Sequence, residues 1–258
     1  MNIEFKKYQG TGNDFIIIDN RSGALGHKEH DLYKAMCDRR FGIGADGLIL
    51  FEDHDIADFR MVYFNSDGHE SSMCGNGGRC IVRYAKDEGL ISKNEVSFEA
   101  IDGIHHARIQ DELIELQMQN VNKIEPSGEG YFLDTGSPHF VAMKNAWDDD
   151  HFIEDARRIR NGAKYKAEGV NVNFMSSEGD ELKVRTYERG VEDETLSCGT
   201  GVTASALVYM QQQGNANPIT IEVKGGSLKV KAKQSENAYE DIWLIGPASK
   251  SFEGLYEV

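Results

Sequence analysis

Two cysteines in this chain open nearly the same phrase, and both phrases suit acid–base chemistry. The first is Cys74-Gly75-Asn76-Gly77 and the second is Cys198-Gly199-Thr200-Gly201, 124 residues further along a chain of 258 residues. Each phrase precedes a helix-like run, which predicts a thiol at a helix N-terminus. There, the free backbone N–H groups and the helix dipole lower the pKa of a thiol from ~8.5 into the range of ~3.5–7.5. The same N–H groups can also bind a substrate carboxylate.

A thiolate and a thiol acting on opposite faces of one carbon could invert an amino acid without pyridoxal phosphate. The α-hydrogen is a very weak acid, so the reaction needs a base, an acid and electrostatic support for the carbanion. Two adjacent thiolates repel each other, which keeps one of the two thiols protonated. We find no phosphate-binding loop for pyridoxal phosphate and no ligand cluster around His105-His106, so neither a cofactor nor a metal is expected.

Other landmarks recur at similar spacing and predict two copies of one folding unit. Thr11-Gly12 matches Thr135-Gly136, and Tyr63 and Tyr187 each lie eleven residues before a cysteine. Duplicated halves usually pack about a pseudo-two-fold axis. We therefore expect the two thiols to face each other across a cleft.

Composition restricts the classes of partner. The chain has 28 Lys and Arg residues against 43 Asp and Glu residues, a net charge of −15, and we find no basic patch for nucleic acid. A zwitterionic small molecule is compatible with this charge. We find no signal segment and no apolar run of the ~20 residues that span a membrane. We expect a cytoplasmic protein without membrane contacts, whose four cysteines are mostly free thiols.

The hydrophobic pattern predicts an α+β fold in which strands dominate. Leu32 to Arg39 and Phe152 to Arg160 are predicted as amphipathic outer helices. Val202 to Met210 has almost no charged face and predicts a helix buried on nearly all sides, and a similar, less apolar helix is predicted from Ile81. We expect a curved sheet around a central helix, formed twice, with a boundary near residues 120–126. The predicted strands are Ile3 to Tyr8, Phe15 to Asp19, Leu48 to Phe51, Phe59 to Phe64, Val96 to Glu99, Leu113 to Met118, Phe140 to Met143, Val170 to Phe174, Leu182 to Tyr187, Ile219 to Val223, Leu228 to Lys231 and Ile242 to Ile245.

Specific motifs along nearly the whole chain resemble those of the diaminopimelate epimerase family. The motifs are residues 10–15 (Gly-Thr-Gly-Asn-Asp-Phe), 41–46, 64–68, 74–80 (Cys-Gly-Asn-Gly-Gly-Arg-Cys), 169–171, 187–190, 198–201 and 225–228. The resemblance implies two similar domains, each a barrel-like mixed sheet wrapped around a central helix. It also implies a cofactor-independent isomerase that converts LL-2,6-diaminopimelate to the meso form, which is used for lysine and peptidoglycan precursors.

Carried over position by position, the resemblance implies that Cys74 and Cys198 are the acid/base pair. The residues implied to bind the reacting carboxylate are Gly75, Asn76, Gly199 and Thr200. Those implied to hold the ammonium groups and the distal carboxylate are Asn13, Asn65, Asn171, Glu188 and Arg189. His139 and Glu188 are implied to lie near the thiols and to orient or tune them.

The resemblance further implies the domain limits and the assembly. Residues 1–120, with the tail 247–258, would form the domain that carries Cys74, and residues 121–246 the domain that carries Cys198. A homodimer is implied.

Three features depart from the family pattern and bear on substrate affinity more than on reaction type. Gly47 replaces a frequent glutamine, and Ser137 replaces the usual asparagine before Pro-His. The loop 191–195 is one residue longer than usual.

Other functions compete with epimerisation of diaminopimelate. The same two-cysteine plan is used for racemisation of proline or hydroxyproline, but Arg189 with three asparagines favours a substrate with a second charged end. A thiol redox module could link Cys74 to Cys198, although it gains nothing from carboxylate-binding helix ends. A binding protein that has lost catalysis would not need both cysteines. Cys37 and Cys80 are expected to pack in the core.

Overall fold

A computed structural model of the chain describes residues 2–145, 147–178, 181–214, 218–236 and 238–258. The chain divides into two units. The first consists of Met1–Leu116 together with Gly246–Val258, and the second is Gln117–Ile245. In chain order the elements are β1 (Asn2–Gly10), β2 (Asn13–Asp19), α1 (His30–Cys37), β3 (Gly47–Glu52), β4 (Phe59–Asn65), α2 (Gly75–Asp87), β5 (Glu95–Ala100), β6 (Gly103–Gln110), β7 (Leu113–Gln117), β8 (Glu125–Ser127), β9 (Gly130–Asp134), β10 (Pro138–Met143), α3 (Phe152–Arg160), β11 (Asn171–Glu178), β12 (Glu181–Glu188), β13 (Asp193–Thr195), α4 (Gly199–Gln213), β14 (Ile219–Val223), β15 (Gly226–Ser235), β16 (Ala238–Pro247) and β17 (Ser249–Glu257).

The two units repeat one strand order. Neighbouring strands in the first unit are β17, β1, β2, β3, β4, β5, β6 and β7. In the second unit they are β8, β9, β10, β11, β12, β14, β15 and β16. Both series run antiparallel, antiparallel, parallel, antiparallel, parallel, antiparallel, antiparallel. The predicted fold class, α+β with a mixed sheet repeated around a central helix, is confirmed.

One helix forms the centre of each unit. α2 contacts β1, β2, β3, β4, β6 and β17, and α4 contacts β9, β10, β11, β12, β14 and β15. Because α4 meets strands on so many sides, it has no polar face, and Val202, Ala204 and Leu207 are completely buried. The short helices α1 and α3 instead pack one apolar stripe against the sheet, with Tyr33 and Met36 buried in α1 and Phe152 and Ala156 in α3.

The strand registers define which residues of the two units are equivalent. Phe15 pairs with Gly47 as His139 pairs with Asn171. Leu48 pairs with Phe64 as Val172 pairs with Tyr187. The partner of Tyr187 across the repeat is therefore Phe64, and the prediction that it is Tyr63 is wrong by one residue. The segment between β12 and Cys198, which includes β13, holds one residue more than the segment between β4 and Cys74. Counting back from each cysteine therefore misaligns the strands.

Within the described residues, no helix is both long enough and apolar enough to cross a membrane.

Candidate active site

Both cysteines occupy the residue that caps the N-terminus of a central helix. Cys74 precedes α2 with φ −98° and ψ 123°, and Cys198 precedes α4 with φ −117° and ψ 109°, so each has extended backbone immediately before the first helical residue. The first helical hydrogen bonds run from the N–H of Gly78 to the carbonyl of Cys74 (2.7 Å) and from the N–H of Val202 to that of Cys198 (2.8 Å). The N–H groups before them have no partner within the helix.

Neither helix carries an acidic side chain in its first turn. Helices usually place aspartate or glutamate there, where the carboxylate interacts with the positive end of the dipole. The omission is notable in a chain with 43 acidic residues. It leaves both helix ends suited to a carboxylate that a substrate supplies.

Asn13 brings three of the predicted residues together in the first unit. Its Oδ1 accepts hydrogen bonds from the thiol of Cys74 (3.5 Å) and from Nδ2 of Asn76 (3.1 Å). Its own Nδ2 donates to Asp46 at 2.6 Å. Cys74 is half-buried and Asn76 is buried.

A group of ion pairs next to Asn13 holds the adjacent backbone in place. Asp14, next in the chain, accepts hydrogen bonds from Lys7 (2.7 Å) and from both terminal nitrogens of Arg39 (3.0 and 2.7 Å). Arg39 also reaches Asp46 at 2.7 Å. Burial raises the pKa of Asp14, but the hydrogen bonds from Arg39 and Lys7 outweigh it and lower the pKa to about 2. Asp14 is thus ionised throughout the neutral range and fixes the start of β2.

Arg79 lies below Cys74 in α2 and is completely buried. Its guanidinium donates to Oδ1 of Asn76 (2.9 Å) and to the hydroxyl of Thr11 (3.3 Å), and it makes two longer contacts with the carbonyls of Gly75 and Pro247 (3.5 Å each). Across the described residues it forms no ion pair with a carboxylate. Burial lowers the pKa of Arg79, and the nearby thiols act in the opposite direction. Sequence reasoning quoted this arginine in a motif but gave it no role.

Cys198 is 7% exposed, and its sulfur lies 3.4 Å from the hydroxyl of Thr200. The backbone of Thr200 is held in turn, because the buried hydroxyl of Thr135 donates to its carbonyl at 2.9 Å. The hydroxyl of Thr203 donates to the carbonyl of Gly199 at 2.9 Å. The first turn of α4 is therefore fixed by hydroxyl groups, whereas the corresponding turn of α2 is fixed by Arg79.

A second group of predicted residues surrounds Asn171 at the start of β11. Nδ2 of Asn171 donates to the hydroxyl of Ser137 at 2.9 Å and lies 3.4 Å from Nε2 of His139. Oδ1 of Asn171 accepts the backbone N–H of Arg189 at 2.7 Å. Ser137, which replaces the family's usual asparagine, thus retains a hydrogen bond within the group.

Three predicted residues lie at the ends of strands, closer to solvent. Asn65 ends β4 and is exposed, with its backbone closing a turn to His69 (3.0 Å). Glu188 ends β12 and is half-buried. The exposed side chain of Arg189 reaches the carbonyl of Glu168 at 3.0 Å.

Gly47, the position at which the family often has glutamine, has no space for a side chain. A Cβ placed there would lie 2.5 Å from a ring carbon of Tyr63 and 2.6 Å from the carbonyl oxygen of Phe64. The Tyr63 ring therefore takes the volume next to β3 that a side chain at residue 47 would need. Nothing in the sequence identified this compensation, because Tyr63 and Gly47 lie on different strands.

The two other cysteines are packed in the interior. Burial raises the pKa of the Cys37 thiol to about 12 and that of Cys80 further. All four cysteines are free, but only Cys74 and Cys198 lie at helix N-termini. Among the described residues, no set of three or more His, Cys, Asp or Glu side chains is arranged to hold a metal ion.

Comparison with known proteins gives one consistent family. A family model described as diaminopimelate epimerase matches residues 5–124 and 131–251. A diaminopimelate epimerase of Flavobacterium psychrophilum is 49% identical over 251 residues, which is 96% of this chain and 97% of that protein. The enzyme of the same name from Chlorobaculum tepidum is 40% identical, over 95% of this chain and 98% of its own.

Solved structures share the fold at much lower sequence identity. A phenazine biosynthesis protein of the PhzF family from Bacillus anthracis matches with a TM-score of 0.76 at 15% identity, over the whole of both chains. A probable proline racemase from Agrobacterium radiobacter K84 matches with a TM-score of 0.68 at 14% identity, over 99% of this chain and 92% of the other. At such identities the likeness concerns the fold alone.

Proposed function

The chain belongs to the diaminopimelate epimerase family, and from this premise we propose that Cys74 and Cys198 are its acid–base pair. The enzyme is an isomerase that converts LL-2,6-diaminopimelate to meso-diaminopimelate, a step of lysine biosynthesis. One thiolate would remove the α-hydrogen, and the other thiol would deliver a proton to the opposite face of the same carbon. The observation that supports this pairing is that each thiol caps a central helix whose first turn lacks acidic side chains.

The helix ends would stabilise the negative charge that develops during the reaction. As the α-carbon loses its proton, charge moves onto the adjacent carboxylate. The N–H groups of Gly75, Asn76, Gly199 and Thr200 at the two helix N-termini would donate to that carboxylate from fixed positions, so little reorganisation is needed. Removing one such donor in other enzymes typically slows turnover about 10²–10³-fold.

The remaining site residues would select a substrate with two amino acid ends. Asn13, Asn65 and Asn171 offer amide groups to ammonium and carboxylate groups. Arg189 offers the planar fork that binds a distal carboxylate through two hydrogen bonds. Its guanidinium is exposed and is bonded only to a backbone carbonyl among the described residues, so exchanging that bond for a substrate carboxylate is inexpensive. Glu188 would bind an ammonium group.

Incubation with LL-diaminopimelate in deuterium oxide tests this assignment. The purified protein should incorporate deuterium at an α-carbon with no added cofactor, because a thiol exchanges its proton with solvent before returning it. Cys74→Ala and Cys198→Ala should each abolish epimerisation, while the buried Cys37→Ala serves as the matched control with near wild-type kcat. If either active-site variant kept more than about a tenth of wild-type turnover, equivalent to ~1.4 kcal/mol of barrier, the pairing would be wrong.

The family resemblance also supports two proposals about the whole enzyme. It would act in the cytoplasm, where free thiols persist, and as a homodimer. Light scattering coupled to size-exclusion chromatography would distinguish a dimer from a monomer of 28.8 kDa.

A further inference from the structure

His139 is a buried, neutral imidazole in β10. Its side chain is completely buried. Burial, with a smaller contribution from the charge of Arg189, lowers the pKa of His139 to about 3. The ring therefore remains neutral over the range in which enzymes work, with one N–H group and one bare nitrogen. Which nitrogen carries the proton decides what the ring can do.

Asn173 determines the state of Nδ1. Its Nδ2 donates to the backbone carbonyl of Phe140 at 3.1 Å, and its Oδ1 accepts the hydroxyl of Thr186 at 2.8 Å. A carbonyl can only accept, so the amide cannot be turned round. The same Nδ2 lies 3.0 Å from Nδ1 of His139. Nδ1 must therefore be bare, and the proton lies on Nε2.

Asn171 leaves that proton without an acceptor. Its orientation is also fixed by backbone, because its Oδ1 accepts the N–H of Arg189 at 2.7 Å. It consequently presents Nδ2, a donor, to Nε2 of His139 at 3.4 Å. The described residues provide no further hydrogen-bond partner for the ring. A buried donor without an acceptor costs about 1–3 kcal/mol and calls for an explanation.

The hydrogen-bonded side chains of His139, Asn173 and Thr186 form one polar group. It lies directly beneath the first turn of α4, which Cys198 caps. A Cβ at Gly201 would lie 2.4 Å from Oδ1 of Asn173 and 3.1 Å from the hydroxyl of Thr186. The glycine in the second cysteine phrase therefore allows the helix to rest on the amide and the hydroxyl. The contact connects the imidazole to the element that holds the thiol.

The first unit shows that the fold does not need these polar residues. By strand register, the positions of His139, Asn173 and Thr186 correspond to Phe15, Ile49 and Tyr63. A Cβ at the corresponding Gly77 would lie 3.2–3.4 Å from side-chain carbons of Met61, Ile49 and Phe15. Because apolar side chains support the equivalent helix, stability alone does not explain the polar group.

We propose that Asn173 and Thr186 are positioning residues that hold His139 as the Nε2–H tautomer, so that it serves the reaction as a neutral hydrogen-bond donor to an anion. This inference rests on the proposed function. The anion is a thiolate or the substrate carboxylate, both of which accept without donating. His139 does not take a proton from a thiol, because the only bare nitrogen, Nδ1, faces Asn173.

Nitrogen NMR of the full-length enzyme labelled with ¹⁵N-histidine tests the tautomer directly. From pH 6 to pH 9, His139 should show a protonated Nε2, a bare Nδ1 and no titration. Ionising the thiols by pH or adding meso-diaminopimelate should shift the Nε2 signal, and comparison of the two distinguishes thiolate from carboxylate. A proton on Nδ1, a titration between pH 6 and 8, or no response to either addition would overturn the proposal.

Variants separate positioning from simple structural support. Asn173→Asp replaces a donor by an acceptor, so it should move the proton to Nδ1 and lower kcat at least about 100-fold with KM changed less than about 3-fold. Thr186→Val should lower kcat less, with Thr186→Ser recovering most of the loss. Asn122→Asp, the same change at an exposed site, is the matched control and should leave kcat and the spectrum unchanged. If His139 kept its proton on Nε2 in Asn173→Asp, the proposal that Asn173 fixes the tautomer would be refuted.

The test of the His139 tautomer can fail independently of the test of epimerisation. The wild-type spectrum reports the tautomer even if a variant does not fold, and the cysteine variants test epimerisation independently. If the cysteine assignments held while His139 titrated normally, only the proposal that Asn173 and Thr186 fix the tautomer of His139 would be wrong.

Discussion

At the scale of single residues, the burial of Arg79 is the feature that a contribution to stability explains least. A buried charge without an opposite charge is unfavourable by several kcal/mol, and apolar replacement of buried charges is often neutral or stabilising. Among the described residues, the partners of Arg79 are the neutral groups of Thr11, Gly75, Asn76 and Pro247. Its evident effect is to fix the amide of Asn76, which then directs its NH₂ group to Asn13.

We therefore expect Arg79→Met to damage activity more than stability. The unfolding free energy should change by no more than about 1.5 kcal/mol, while kcat/KM falls at least about tenfold, or ~1.4 kcal/mol. Urea unfolding and steady-state kinetics on the same preparation measure both quantities. Arg79→Lys keeps the charge without the planar fork and should be intermediate. A large loss of stability with normal turnover per folded molecule would show that the arginine is structural.

Sequence reasoning found the thiols and missed their supports for a physical reason. Cys74 and Cys198 were identified because their phrases are local and repeated. Asn173 and Thr186 acquire their role only through the register that places them side by side on β11 and β12. A usable signal was present, since Asn171 and Asn173 share one face of β11 and alternate with the apolar Val172 and Phe174 on the other face.

At the scale of elements, the predicted strands and helices were largely confirmed where the pattern was strong. All twelve predicted strands overlap observed ones, and α3 was predicted with its observed bounds. Five strands are absent from the predicted set: β6, the short β8, β9 and β13, and the long β17. Nearly every residue of β17 is exposed, so it lacks the apolar alternation on which prediction depends.

Despite its exposure, β17 completes the sheet of the first unit. It pairs with β1 along almost its whole length, from Asn2 opposite Glu257 to Gln9 opposite Ser249. Phe252 packs edge-on against Phe5 with ring centroids 6.0 Å apart, and Gly254 lies close to the same ring. Without β17, β1 would expose its backbone groups and Phe5 to water.

Deleting residues 249–258 should therefore loosen the first unit selectively. Hydrogen exchange measured by mass spectrometry should show faster exchange across β1 and α2, while β11, β12 and α4 keep their protection. Leu255→Ala, at a residue 64% exposed, keeps the strand pairing and is the control, with little change expected. Unaltered exchange in β1 after the deletion would mean that β2 alone sustains that strand.

At the scale of the whole molecule, stability should decline on the acid side of neutrality through His139. Its folded pKa is about 3, lowered mainly by burial from an ordinary 6.5. Below pH 6.5 the unfolded chain binds a proton that the folded chain does not. The contribution of His139 is thus complete above pH 6.5 and is lost as the pH falls towards 3. One proton amounts to about 1.4 kcal/mol per pH unit, or about 2 kcal/mol between pH 6.5 and 5.

Urea unfolding at a series of pH values measures this loss. His139→Phe, which installs the residue found at the equivalent position of the first unit, should flatten the profile between pH 6.5 and 5. His151→Gln removes an exposed histidine and should leave the slope as in the wild type. An identical slope in His139→Phe would place the acid-sensitive group elsewhere.

Because β17 pairs within the first unit, the two units must fold in a particular order during translation. Translation delivers residues 1–116 first, but these lack the strand that borders β1 until residues 246–258 emerge. The whole of the second unit is synthesised in between, and it is continuous in the chain. The second unit can therefore complete its fold before the first. Until residues 246–258 have been synthesised, the first unit exposes the edge of β1 to other nascent chains. Moving residues 246–258 ahead of Met1 by circular permutation would remove that exposure.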